Sequence, residues 1–235
     1  MLRLLDRRRF LHLSSLAATV VLGSACVAPV QTPLPVEESV KSPEEALARL
    51  LAGNLRYAED HTLSINESSQ RRVEVAQGQH PFATIFSCVD SRVPPELVFD
   101  RGLGDLFVIR TAGHVIDHAV LGSLEFGAAE LKIPLIMVLG HAKCGAVNAT
   151  LEAVENHTEA PNDIAYLVDH IAPAIELAAE REGDPLSNCI KANVELTVKE
   201  LQQSSILADA IAQGQLMIVG AQYNLETGMV ELIEI

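Results

Sequence analysis

Two short apolar runs, Phe82-Ala83-Thr84-Ile85-Phe86-Ser87 and Leu135-Ile136-Met137-Val138-Leu139, each end against residues that bind metals. Neither run alternates polar with apolar, so each reads as a strand buried on both faces. Such strands belong to parallel sheets covered by helices on both sides. The first run ends at Cys88, followed by Val89-Asp90-Ser91-Arg92 and the turn-forcing Pro94-Pro95. The second closes with Gly140 and then His141-Ala142-Lys143-Cys144-Gly145. In open α/β sheets, sites form along the carboxyl edge of the strands, so these two distant segments are expected to meet there.

The residue types match a metal centre with an open position. Thiolate and imidazole are good zinc ligands, and a catalytic zinc keeps three protein ligands and leaves a fourth place for water. Cys88, His141 and Cys144 are the candidate set, one Zn2+ per chain. His141 and Cys144, three residues apart where a helix should open, are expected on one helical face. Zinc brings the pKa of bound water to roughly 7, which supplies hydroxide near neutral pH. Asp90 is placed to accept a hydrogen bond from that hydroxide. Arg92 is placed to grip Asp90 with its planar fork and hold the carboxylate off the metal.

Taken singly, a strand cysteine is usually a small buried hydrophobe and an aspartate near an arginine an ion pair. The coincidence of both sets at strand ends argues for function. A structural zinc would bring a fourth Cys or His at short spacing, and neither segment supplies one. Cys189 stands far downstream on an expected helix and is read as a buried residue.

The rest of the chain alternates strands with helices. Ser42-Pro43-Glu44-Glu45 is a capping box with proline at the first helical position, opening a helix to about Asp60. Leu47, Leu50, Leu51 and Leu55 form its apolar stripe. Further strands are expected at 106–109, 216–219 and, as a last edge strand, 230–233. Helices are expected at 118–131, 146–154, 163–181 and 186–203. The architecture is therefore α/β, a mainly parallel sheet flanked by helices, with an N-terminal helical arm.

In order along the chain, Gly53-Asn54-Leu55-Arg56-Tyr57, Cys88 to Pro95, Gly104-Asp105-Leu106-Phe107, Arg110-Thr111-Ala112-Gly113, Gly122-Ser123-Leu124-Glu125-Phe126, Gly140-His141 through Ala146, and Gly220-Ala221-Gln222-Tyr223 with Thr227-Gly228 resemble the β-class carbonic anhydrases. The resemblance spans about Ser42 to Ile235. It implies zinc on Cys88, His141 and Cys144, an Asp90–Arg92 dyad, and a closed state in which Asp90 becomes a fourth ligand. It implies reversible hydration of carbon dioxide to bicarbonate and a proton, in a homodimer or tetramer whose N-terminal helix reaches across a partner; by pattern alone that helix could equally pack on its own domain. His114 stands where the family usually has Asn, and is read as a packing or capping residue rather than a proton shuttle. Glu125 is read as a structural acid near the dimer seam. The chain has no Trp, so the Trp-containing bicarbonate pocket of some members is not carried over. The same motifs would serve a carbonyl sulfide or carbon disulfide hydrolase, and a non-catalytic zinc or bicarbonate sensor would keep Asp90 on the metal.

The N-terminus reads as an address. Arg7-Arg8-Arg9-Phe10-Leu11 resembles a twin-arginine export pattern, and Leu13 to Ala25 is apolar but too short for a permanent span. Leu22-Gly23-Ser24-Ala25-Cys26 resembles a lipoprotein signal with Gly23 off pattern, leaving both a lipid on Cys26 and simple cleavage open. Residues 1–26 are thus expected to be a signal, 27–41 a Pro-rich linker, and 42–235 one domain that acts outside the cytoplasmic membrane. That route suits the thiols, because a protein exported folded can load zinc before it meets oxidant. A net charge of −14 disfavours nucleic acid and anionic membrane surfaces as partners.

Overall fold

The computed structural model describes residues 39–40 and 42–235; the expected signal and nearly all of the expected linker fall outside these residues. Five strands form one sheet: β1 (Ala83–Cys88), β2 (Leu106–Thr111), β3 (Leu135–His141), β4 (Met217–Tyr223) and β5 (Val230–Ile233). Their spatial order is β2-β1-β3-β4-β5. The first four run parallel, and β5 returns antiparallel against β4 as an edge strand. Every residue of β1 and β3 is buried, as their unbroken apolar runs require.

Eight α-helices connect and cover this sheet among the described residues: α1 (Pro43–Ala58), α2 (Ser69–Val75), α3 (Pro95–Val98), α4 (His118–Ala129), α5 (Gly145–Asn156), α6 (Asp163–Ala178), α7 (Pro185–Leu201) and α8 (Ser205–Ala212). Alternate strand residues point to opposite faces. Ile85, Leu135, Met137 and Leu139 meet Ala46 and Leu50 of α1 and Val98 of α3 on one side. Phe86, Ile136 and Val138 meet α4, α7 and α8 through Leu124, Val194, Val198 and Leu207 on the other. No helix among the described residues is long and apolar enough to cross a membrane.

The N-terminal helix α1 packs on its own domain. Ser42 caps it by accepting from the Glu45 amide. Its Asn54, 1% exposed, donates to the carbonyls of Val98 (3.1 Å) and Gly228 (2.8 Å) and accepts from the Val230 amide (2.8 Å). Arg56 Nε adds an ion pair at 2.6 Å to Asp100. One helix is thereby tied to α3 and to the turn before β5.

Candidate metal centre

The chain leaves β1 toward β2 on one side and later returns to place β3 on the other. The crevice between the carboxyl ends of β1 and β3 is therefore the point where strand order reverses, the usual ligand position in such sheets. Cys88 ends β1 and His141 ends β3. The expectation that His141 and Cys144 share one helical face is corrected by the structure. His141 belongs to the strand, and Lys143 in the left-handed region (φ 54) turns the chain back so that Cys144 becomes the N-cap of α5. Reversal at Lys143, rather than helical periodicity, brings the two ligands together.

Ligand atoms of Cys88, His141 and Cys144 all lie within 4.8 Å of one another, and all three residues are buried. His141 Nδ1 is 2.9 Å from the Ala142 carbonyl, which only accepts, so the proton sits on Nδ1 and the Nε2 lone pair is free. That Nε2 is buried without a hydrogen-bond partner among the described residues. An orphaned imidazole lone pair facing two thiols is the donor set a zinc ion satisfies. The residues present fit the group.

Electrostatics agree. The two thiols share a proton: the hydrogen bond with Cys144 pulls Cys88 far below the ordinary thiol range, to about 3, while the same contact and burial push Cys144 up. The Gly113 amide donates to Cys88 Sγ at 3.4 Å. Amides of Ala146 and Val147 in the first turn of α5 favour the Cys144 thiolate. Burial works against a charged His141, yet the Cys88 sulfur, the Ala142 carbonyl and Asp90 outweigh it and raise its proton affinity. A buried pocket that draws a proton onto imidazole is one that draws a cation.

Asp90 and Arg92 sit at the rim. Arg92 Nε and Nη2 donate to Asp90 Oδ1 (2.9 Å) and Oδ2 (2.7 Å), and the Arg92 amide donates to Oδ1 at 2.9 Å. The guanidinium holds the Asp90 carboxyl well below the usual carboxylate range. Asp90 Oδ2 is 3.8 Å from His141 Nε2, so all five candidate residues converge. Arg92 also reaches the Lys143 carbonyl at 3.4 Å.

Other residues were not legible as parts of the site. Arg110 in β2 donates to the carbonyls of Cys88 (2.9 Å) and Asp90 (2.6 Å), fixing the loop that carries the dyad. A lone arginine closing an apolar strand beside the site strand was the available signal. His114 is 2% exposed, and burial lowers its pKa to about 4, which keeps the ring neutral and suits packing rather than proton transfer. Cys189 is buried, and none of the three described cysteines forms a disulfide. Glu125 accepts from the Ser204 hydroxyl at 2.6 Å, a local contact between α4 and the cap of α8.

A family model described as carbonic anhydrase matches residues 83–230. A carbonic anhydrase of Mycolicibacterium smegmatis is 42% identical over 192 residues, covering 81% of this chain and 93% of that protein. Carbonic anhydrase 2 of Mycobacterium tuberculosis is 43% identical over 189 residues, covering 80% and 91%. Among solved structures, the β-carbonic anhydrase CcaA superposes with a TM-score of 0.64 at 27% identity over 80% of this chain and 95% of that one. The Coccomyxa β-carbonic anhydrase, solved with acetazolamide, gives 0.63 at 28% identity over 80% and 86%. A parallel sheet with Cys, His and Cys at its switch point, matched along its length by these proteins, places the chain in the β-class carbonic anhydrase family.

Proposed function

We propose that the protein hydrates carbon dioxide reversibly to bicarbonate and a proton, using one zinc held by Cys88, His141 and Cys144. The observation that carries this reading is the buried triad with Asp90 facing it while Arg92 occupies both carboxylate oxygens. Bound zinc supplies a water acidified to a pKa of roughly 7, and so a hydroxide nucleophile near neutral pH. Asp90 accepts a hydrogen bond from the attacking oxygen and fixes its orientation toward carbon dioxide. Arg92 keeps Asp90 ionised and aimed, and Arg110 holds the backbone from which Asp90 projects. Asp90 could become a fourth ligand in a closed state only by giving up Arg92.

The twin-arginine pattern at Arg7-Arg8 and the small residues before Cys26 support an exported enzyme, periplasmic or envelope-bound, with Cys26 as the lipid site if the protein is anchored. A homodimer or tetramer is supported by the edge strand β2, which pairs only with β1 among the described residues, and by exposed Val89, Leu97, Leu103 and Phe126.

The test is a pair of variants. Asp90→Asn should keep one zinc per chain and lose carbon dioxide hydration by ~10²-fold or more, the scale of a lost proton-handling group. Cys144→Ser should lose zinc and thermal stability together. Full zinc-dependent activity in Asp90→Asn would show that the dyad has no such role.

A further inference from the structure

The amide that reaches Cys88 Sγ belongs to a turn in an uncommon conformation. Gly113 (φ 60) and His114 (φ 47) are consecutive left-handed residues. Glycine adopts that region at little cost, but histidine does so at a penalty, and such geometry persists only where surroundings over-determine it. Asn193 of α7, 5% exposed, supplies the constraint. Its Nδ2 donates to the Gly113 carbonyl at 2.9 Å and lies 3.2 Å from His114 Nε2.

The chemistry of these partners fixes every proton. A carbonyl only accepts, so the amide nitrogen of Asn193 faces Gly113, and its second hydrogen faces His114 Nε2. That ring nitrogen accepts, and the proton of His114 sits on Nδ1, which is buried with no partner among the described residues. An orphaned buried donor costs stability, so the ring is kept in this tautomer against a penalty by the contact with Asn193. One side chain thus holds the Gly113 carbonyl and the His114 ring, beside the Thr111 hydroxyl, which closes the same turn by donating to the Val115 carbonyl at 2.8 Å.

We propose that Asn193 is a positioning residue for the metal centre: through Gly113 and His114 it holds the Gly113 amide on the Cys88 sulfur, and so sets the electron density of that sulfur and the rate of metal loss. This rests on the reading of Cys88 as a zinc ligand. An N–H donated to a thiolate withdraws charge from the sulfur and fixes the direction of its remaining lone pairs, which holds the sulfur in place toward a metal. Partners behind a ligand typically govern metal affinity by ~10–100-fold.

Asn193→Leu keeps the side chain's shape and removes both contacts. The expected result is zinc loss to a chelator faster by ~10-fold or more, and, with cobalt(II) in place of zinc, a thiolate-to-metal charge-transfer band moved to lower energy. Thr197→Ala is the control. Thr197 bonds the Asn193 carbonyl at 2.8 Å on the same helix without touching the turn, so its loss perturbs α7 but should leave the band in place. Should Asn193→Leu not fold, His114→Gly, which adopts the left-handed backbone freely and carries no side-chain acceptor, should move both readouts in the same direction. An unmoved band in the folded Asn193 variant, or an equal change in Thr197→Ala, overturns the clamp alone. Wild-type protein that binds neither zinc nor cobalt overturns the metal reading and the clamp with it.

Discussion

Replacing Asn54 by alanine removes the staple that fastens α1 to the sheet, and its cost follows from which atoms are stranded. Three backbone groups lose a partner: the carbonyls of Val98 and Gly228 and the amide of Val230. The carbonyls each have a second lone pair, but the Val230 amide has one hydrogen and no substitute. A buried donor left unmet costs ~1–3 kcal/mol, and two weakened acceptors bring the expected loss to ~3 kcal/mol. For a domain of this size that is a fall in Tm of ~6–12 °C. Asn54→Asp should cost at least as much, because it turns an oxygen toward the two carbonyl oxygens that Nδ2 now serves. Urea unfolding followed by circular dichroism, at one fixed protomer concentration because association contributes to stability, measures both. Leu55→Ala, one residue on and 46% exposed, is the reference and should stay within ~0.5 kcal/mol of wild type. If Asn54→Ala falls within ~1 kcal/mol of that reference, α1 is not held on its own domain as described.

Two further outcomes follow from the site. Gly113→Ala would put a Cβ at 2.6 Å from Ile171 Cδ1 and 3.2 Å from Ala146 Cβ, in a left-handed backbone; it should destabilise by ~1–2 kcal/mol from backbone strain alone and weaken zinc binding, and Ile171→Val should restore part of both in thermal melts and metal titrations. His114 stays neutral when folded down to about pH 4, whereas the unfolded chain protonates it from about 6.5; its contribution is therefore complete above 6.5 and is lost as pH falls toward 4, by ~3 kcal/mol in total. Asp90, held below the usual carboxylate range, loses its contribution only at more acid pH. Metal-free His114→Asn should show a flatter stability curve between pH 6.5 and 4 than metal-free wild type, measured by urea unfolding across that range.

The sheet was readable where burial is written in composition. The unbroken runs at 82–87 and 135–139 mark two strands and the edge where the site forms. The strand expected at 216–219 begins at Met217 and runs on to Tyr223. In the structure Gly220 sits inside β4, where a Cβ would come within 2.7 Å of Val194 on α7 and 2.8 Å of Ile235; it is there for close packing. Helix α2 buries none of its residues and so writes no stripe, and α3 is a single turn after Pro94. Helix α8, capped by Ser204, lies outside the expected elements, and the helix expected to run to Arg181 stops at Ala178. Cys88, Asp90, Arg92, His141 and Cys144 were legible because chemistry-bearing residues stood at the ends of apolar runs. Asn193 and Arg110 were not, because each acts through a backbone carbonyl. Nothing in the sequence of α7 tells an asparagine facing a distant turn from one facing solvent.

The most direct test is stopped-flow carbon dioxide hydration by signal-free protein of known zinc content, scanned from mildly acidic to alkaline pH. The account predicts activity that rises with pH, disappears when zinc is removed and returns when it is restored. One zinc per chain with no hydration at any pH would contradict it.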